Sequence, residues 1–256
     1  MILLLDVGNT NTHLGLANAR RVIRQADLPS ALWFTGKKAN ALLGQFAGPA
    51  RIGGVAWCSV VPRATPLVRQ AIERLWDLNP LELTAKSVRG LGIDYPKPGT
   101  IGADRLANAV AARHHFGAPV VVVDFGTAVT FDVVDRAGNY IGGAIAPGLA
   151  AMTDYLHEKT ALLPRIRIRE IQGVIGKSTE QAMRVGAVHG YRGLIRELLL
   201  EMKRALKTRR LPVVATGGYA RLIAAKLPEV TAVEPNLTLE GLRLVWENTM
   251  GRGPED

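Results

Sequence analysis

Cysteine is almost absent from this chain: Cys58 is the only one in 256 residues. A single thiol excludes an internal disulfide framework and fits a reducing compartment. Cys58 stands in the apolar stretch 55–61, which predicts a buried, unreactive thiol and not a nucleophile. Aromatic residues are scarce, at 5 %, and do not interleave with the basic runs, so a stacking platform for single-stranded nucleic acid is not expected. No apolar run approaches the roughly 18 residues of a membrane span. Residues 1–5 are too short, and lack the basic flank, for a signal-peptide core. The expectation is a soluble cytoplasmic protein with no membrane partner. Several signatures are also missing. There is no Gly-x-x-x-x-Gly-Lys-Ser/Thr, no Gly-x-Gly-x-x-Gly after a strand, no Gly-x-Ser-x-Gly elbow and no Cys/His cluster at metal spacing.

Positive charge, by contrast, is in surplus: the net charge is +10 and the pI about 10.1. Such a balance suits nucleic acid, an acidic membrane surface or polyanionic small ligands. The densest runs are 165–169 (RIRIR) and 203–210 (KRALKTRR). The first alternates charge with isoleucine, which suits an edge strand with one wet face as well as a phosphate-contacting ribbon. The second reads as a helix end, where cations favour exposed carbonyls. Nucleic acid is therefore not the expected partner; steering of anionic ligands would be a sufficient account of the charge, whose role the sequence does not fix. A hydrophobic content of 48 % supplies a packed core, and 21 % charged residues do not indicate disorder.

The organising stretch is 120–132, VVVVDFGTAVTFD. Four β-branched residues predict a buried strand, ending in an aspartate and a Gly turn. α/β proteins hold phosphates and metals at such places, because backbone N–H groups converge there unobstructed by a Cβ. The pattern occurs twice. Residues 3–14 read LLLDVGNTNTHL, and Asp6, Gly8 and Thr12 match Asp124, Gly126 and Thr130 at an offset of 118. Two halves are expected, 1–117 and 118–256, with a nucleotide in the cleft between them.

Further elements follow from periodicity. A return strand is expected over 13–17, with His13 packed at the hairpin, a third strand over 20–27, and a helix over 32–46 weakened by Gly36. A buried strand over 52–61 and a helix over 66–76 come next. Residues 90–102, rich in Gly and Pro and carrying Tyr95, predict a functional loop without regular structure. It leads to Gly102-Ala103-Asp104-Arg105 at the head of a helix over 103–116, where Asp104 fits a helix cap as well as a catalytic group. The small residues of 141–148 predict a close approach of backbone or ligand. One long helix is expected over 178–207, opened by a Ser178/Gln181 capping box. Its Gly186, Gly190 and Gly193 suggest close packing of a second helix. Thr216-Gly217-Gly218 before a helix is another place for a nucleotide. A helix over 239–250 and a loose tail over 251–256 close the chain.

Together these motifs resemble type III pantothenate kinase. The resemblance rests on Asp6 to Thr12, Gly102 to Arg105, Asp124-Phe125-Gly126-Thr127-Ala128, the Gly-Gly-x-Ile-x-Pro-Gly of 142–148, the stretch 176–186 and Thr216-Gly217-Gly218. It implies an α/β fold of two ribonuclease-H-like halves of the actin-like type, with mixed sheets flanked by helices. It also implies a homodimer and ATP-dependent phosphorylation of pantothenate to 4′-phosphopantothenate, towards coenzyme A. The implied base is Asp104. Pantothenate would be held by Tyr95, Gly102, Ala103, Asp104, Arg105 and Thr179. ATP would be held by Asp6, Val7, Gly8, Asn9, Thr10, Asn11, Thr12 and His13, by Thr127, and by Thr216, Gly217 and Gly218. Asp6 would hold Mg²⁺, and Asp124 a monovalent cation, K⁺ or NH₄⁺. One departure is Glu234-Pro235, where the family has Asp-Pro. Two alternatives are a related kinase acting on another hydroxyl compound, and a basic regulatory protein that keeps the fold and associates with nucleic acid.

Overall fold

The computed structural model describes residues 1–35 and 37–250, with Lys37 described by its backbone alone. Gly36 and the tail expected at 251–256 lie outside the described residues. Up to residue 117 the chain forms β1 (Ile2–Val7), β2 (Asn11–Ala17), β3 (Val22–Pro29), a 3-10 turn (Ser30–Thr35), α1 (Lys37–Ala47), β4 (Gly54–Ser59), α2 (Thr65–Trp76), β5 (Leu81–Glu82), β6 (Gly92–Ile93) and α3 (Ala103–Phe116). It continues with β7 (Val120–Phe125), β8 (Ala128–Val134), β9 (Asn139–Pro147), α4 (Leu149–Lys159) and α5 (Thr179–Val185). A π-turn (Gly186–Gly190), α6 (Tyr191–Ala205), β10 (Val213–Thr216), α7 (Ala220–Ala224), β11 (Ala232–Val233) and α8 (Leu237–Met250) complete it. No described helix is long and apolar enough to cross a membrane.

Two compact units result. Of the described residues, the first comprises those of 1–117, 138–141 and 236–250; the second comprises 118–137 and 142–235. In the first unit the strand order is β3-β2-β1-β4-β5, with β1 antiparallel to β2 and parallel to β4. In the second, β9-β8-β7-β10-β11 repeats that order, with β7 antiparallel to β8 and parallel to β10. The internal repeat read from the sequence is thus a repeat of topology.

The Leu-rich start is explained by burial on both faces of β1. Leu3, Leu5 and Val7 join Leu43, Trp57, Val68 and Ile72 in one core. Leu4 points to the other face, where a Cβ on Gly15 would meet both Leu4 and Leu239 of α8. In the second unit Val121, Val123 and Phe125 pack with Tyr191, Ile195, Leu199 and Ile223.

Several sequence expectations are corrected. The second half was expected to run to residue 256, but α8 packs on α3 and β4 of the first unit. Two glycines permit this: a Cβ on Gly241 would lie 2.0 Å from the Ala107 carbonyl oxygen, and one on Gly54 would lie 2.0 Å from the Trp246 ring. A polar pair closes the same seam, where Thr238 donates to Asn108 Oδ1 at 2.8 Å. The helix expected over 178–207 is instead α5, a π-turn and α6; the π-turn begins and ends on glycine, the residue type least committed to the α-helix. Residues 165–169 form no strand, although Ile166 and Ile168 do pack on the second core while the arginines stay exposed. The loop 90–102 is not free of regular structure: it holds β6 and a 3-10 turn at Pro98–Thr100. The helix expected over 32–46 begins as a 3-10 turn and continues as α1.

Candidate active site

Residues Asp6 to His13 sit where β1 turns into β2. Asp6 is 7 % exposed, lies opposite His13 on β2 and beside Cys58 on β4. Its Oδ1 accepts the Cys58 thiol at 3.3 Å. Beyond Val7 the turn is closed by Gly8 N–H, which donates to the Asn11 carbonyl at 3.0 Å. A Cβ on Gly8 would lie 2.9 Å from that same oxygen, so the turn needs glycine. Ser30 braces the loop, its Oγ donating to the Gly8 carbonyl at 2.6 Å and its N–H to the Thr10 carbonyl at 2.9 Å. Asn9, Thr10 and Asn11 remain exposed at the tip. Thr12 is wholly buried, and its Oγ1 meets Ser30 Oγ at 3.0 Å and accepts Trp33 Nε1–H at 2.8 Å. Its hydroxyl therefore supports the hairpin from below. His13 Nδ1 meets Asp27 Oδ1 at 2.7 Å across β2–β3, with the His13 side chain half-buried and that of Asp27 exposed.

Asp104 and Arg105 occupy the first turn of α3, and Gly102 is its N-cap. Asp104 is thus inside the helix, not at the capping position, and its Oδ1 accepts the Arg105 N–H at 2.7 Å. A Cβ on Gly102 would lie 2.6 Å from that oxygen, so the glycine leaves room for the carboxylate. Burial pushes the Asp104 carboxyl above its ordinary value; the Arg105 N–H and guanidinium oppose this without cancelling it. The same region acts on Cys58, whose thiol is pushed well up by burial, then by the charges of Asp6 and Asp104. Of the two carboxylates, Asp6 is the one bonded to the thiol. Beside them Arg105 lies 5.8 Å from the centre of the Tyr140 ring, and Tyr95 meets that ring edge-on at 6.1 Å.

The second unit repeats the hairpin with a difference. Asp124 in β7 lies opposite Thr130 and beside Thr216, as Asp6 lies opposite His13 and beside Cys58. The offset that matched Thr12 to Thr130 is thus corrected by one residue: the second turn is shorter, and Thr130 occupies the place of His13. Gly126 N–H closes this turn on the Ala128 carbonyl at 3.1 Å. Two loops press upon it. A Cβ on Gly148 would lie 2.2 Å from the Thr127 carbonyl oxygen, and one on Gly217, with φ +88°, would lie 2.6 Å from Asp124 Oδ1. The close approach expected at 141–148 is present at Gly148 and again at Gly143, whose Cβ would meet the Phe131 carbonyl oxygen. Thr127 and Gly218 are exposed, while Thr216 is buried. Thr179 opens α5 in the same unit, exposed, next to a Ser178 cap that accepts Gln181 N–H at 3.2 Å.

Across residues 2–201 the chain matches the sequence profile of type III pantothenate kinase. The chain belongs to that family. A type III pantothenate kinase from Akkermansia muciniphila is 46 % identical to it over 243 residues, 94 % of this chain and 96 % of that one. Among solved structures, a protein from Campylobacter jejuni described as a Baf family transcriptional activator aligns over 98 % of this chain and all of its own, with a TM-score of 0.64 at 18 % identity. A polyphosphate/ATP-glucomannokinase from Arthrobacter covers 98 % of this chain and 99 % of its own, with a TM-score of 0.52 at 12 % identity. Likeness at those identities concerns the fold alone, which is the α/β fold of actin-like ATPases and sugar kinases.

The family's motifs fall into two groups in the structure. Tyr95, Gly102, Ala103, Asp104 and Arg105 join the Asp6 hairpin in the first unit; Asp124, Thr127, Thr179 and Thr216 to Gly218 lie in the second. Sequence reasoning missed the placement of Cys58 against Asp6, and the contacts of Ser30 and Tyr140. For Cys58 one signal was available: it follows an apolar strand core, as Thr216 does. For Ser30 and Tyr140 none was, because both meet partners distant in sequence.

Proposed function

We propose that this chain phosphorylates pantothenate at the expense of ATP, in the cytoplasm, with Asp104 as the base that orients and accepts the proton of the substrate hydroxyl. The observation that carries this reading is a part-buried carboxyl at the head of α3, held by the Arg105 N–H at 2.7 Å and with its proton affinity raised by desolvation. Phosphoryl transfer of the loose kind releases that proton late, so positioning counts as much as basicity. A desolvated carboxyl also holds a higher proton affinity than one in water, which suits a base working near neutral pH. Arg105, with Gly102 and Ala103, is assigned the pantothenate carboxylate, for which a guanidinium offers a two-pronged fit. Tyr95 and Thr179 are the further pantothenate contacts.

ATP is assigned to the exposed tip of the Asp6–His13 hairpin, to Thr127, and to the backbone of Gly217 and Gly218. Thr12 and Thr216 serve it through main chain only, because their side chains are buried. Among the described residues no group of three His, Cys, Asp or Glu side chains converges on a metal position. That fits Mg²⁺ bound by one protein carboxylate, Asp6, with phosphate oxygens and water supplying the rest. Mg²⁺ would neutralise charge on the transferred phosphate. Asp124, whose strand neighbours Thr130 and Thr216 are also oxygen donors, is assigned the monovalent cation, K⁺ or NH₄⁺.

A homodimer belongs to the same proposal. Gly186, Gly190 and Gly193 lie exposed along one stripe, with nothing within 4 Å of a Cβ at any of them. The same unit exposes Tyr155 at 61 %, Val174 at 67 % and Ile175 at 83 %, and exposed apolar groups of this kind mark association surfaces. Gly190→Leu is expected to weaken self-association in sedimentation, and an unchanged oligomer would refute the stripe.

The deciding experiment follows ADP release with ATP, Mg²⁺ and pantothenate, in K⁺ or Na⁺, for the native chain and Asp104→Asn. Pantothenate-dependent turnover that requires K⁺ and collapses in the variant is the expected result. Turnover that survives the substitution would keep the kinase and remove Asp104 as base.

A further inference from the structure

Tyr140 is 1 % exposed at the head of β9, in a segment that contains none of the residues assigned to substrate. Two of those residues nevertheless meet on its ring. The Arg105 guanidinium lies over it at 5.8 Å, and the Tyr95 ring meets it edge-on at 6.1 Å with 67° between the planes. The backbone fixes this arrangement. β6 pairs parallel with the head of β9, Ile93 beside Tyr140, and Asp94 N–H donates to the Tyr140 carbonyl at 3.0 Å. Tyr95 follows directly on that bond. Gly92 permits the pairing, since a Cβ there would lie 1.9 Å from Asn139 Oδ1. A two-residue strand is otherwise a weak element, so its evident result is to carry Tyr95 to the Tyr140 ring.

We propose that Tyr140 is a positioning residue for pantothenate. Its buried ring holds the Arg105 guanidinium on the ring face and Tyr95 against the ring, so the two substrate-holding groups share one support. A guanidinium over a desolvated aromatic face is attracted by the ring quadrupole, and edge-on aromatic pairs add specific geometry. Without the ring, Arg105 at the first turn of α3 keeps its charge but loses the direction of its donors. A misdirected fork weakens the grip on a carboxylate and leaves ATP binding untouched.

The inference rests on the assignment of Arg105 to pantothenate, and the test separates the two. Steady-state kinetics are measured for Tyr140→Leu, Tyr140→Phe, Arg105→Lys and the Tyr140→Leu/Arg105→Lys pair, with thermal melting of each. In Tyr140→Leu the pantothenate KM is expected to rise about fivefold to tenfold with the ATP KM unchanged. Tyr140→Phe, which keeps the ring, is expected to stay within about twofold of native. In the double variant the two KM effects are expected to combine to less than their product, as coupled neighbours do. A native pantothenate KM in Arg105→Lys removes the assignment of Arg105, and the role of Tyr140 with it. An affected Arg105→Lys beside a native Tyr140→Leu overturns the role of Tyr140 alone. Equal rises in both KM values, Tyr140→Phe as impaired as Tyr140→Leu, or full multiplicativity would each overturn it too. Should Tyr140→Leu fail to fold, Tyr140→Met, which fills much of the space without an aromatic face, replaces it in the same KM comparison and in the double variant.

Discussion

Cys58 donates its thiol to Asp6 Oδ1 at 3.3 Å, and the two residues are direct neighbours across the parallel β1–β4 pair. The thiol supplies one hydrogen bond to the carboxylate assigned to Mg²⁺ and so limits its rotation. Removing the donor in Cys58→Ala should cost about 1 kcal/mol of ordering, or about a fivefold rise in ATP KM. Cys58→Ser, which keeps a donor, should fall within about twofold of native. Equal kinetics for Ala and Ser would show that the bond contributes nothing to ATP binding.

The same burial keeps the thiol protonated. Its proton affinity is raised by desolvation and by the charges of Asp6 and Asp104, and its exposure is 0 %. Iodoacetamide is therefore expected to leave native protein unlabelled from about pH 7 to 9, and to label it fully in denaturant. Rapid labelling of the folded chain at neutral pH would contradict this placement.

Asp104 separates activity from stability. Its folded carboxyl binds a proton more tightly than the unfolded one, because desolvation outweighs the help of Arg105. Its contribution to folding is thus fully present below the ordinary carboxylate range and is lost as pH rises through the raised folded value. At neutral pH the ionised group is a burden on the fold. Asp104→Asn should melt at or above the native temperature at pH 7, while pantothenate-dependent turnover falls by about a hundredfold or more. A plain helix-capping role would give the reverse, lower melting with turnover preserved.

Gly217 and Gly218 are adjacent yet differ in what they tolerate. At Gly217, φ is +88° and a Cβ would press on Asp124 Oδ1 and the Phe125 backbone; at Gly218 nothing lies within 4 Å. Gly217→Ala is expected to destabilise the protein by about 1–3 kcal/mol, and Gly218→Ala by well under 1 kcal/mol. Thermal melting of the two variants checks this, and equal losses would count against the geometry.

For α8 the test is Gly241→Ala. The added methyl would sit 2.0 Å from the Ala107 carbonyl oxygen, forcing α8 away from α3. A loss of about 2 kcal/mol or more in urea unfolding is expected, in the range that overpacking of a tight contact produces. A native midpoint would mean that the α3–α8 seam is loose.

The sequence alone determined the two Asp-x-Gly hairpins, the strand-and-turn content around them and the helix that carries Asp104 and Arg105. These depend on neighbours within a few residues: apolar runs, glycine turns and a helix head after Gly102. It also carried the family, because motif order and spacing survive in one dimension. Tertiary structure decided what distant residues do to one another. The closing helix belongs to the first unit because Gly241 and Gly54 allow α3 and β4 to approach it, and no local pattern records that choice. Thr12 matched Thr130 in the repeat, but the second turn is one residue shorter, and Thr12 lies under its own loop, bonded to Ser30 and Trp33. Cys58 was legible as buried and not as the neighbour of Asp6, since a parallel β1–β4 register joins residues 52 positions apart. Tyr140 lay unnoticed in a strand for the same reason: its partners, Tyr95 and Arg105, reach it only through the β6–β9 pairing and the start of α3.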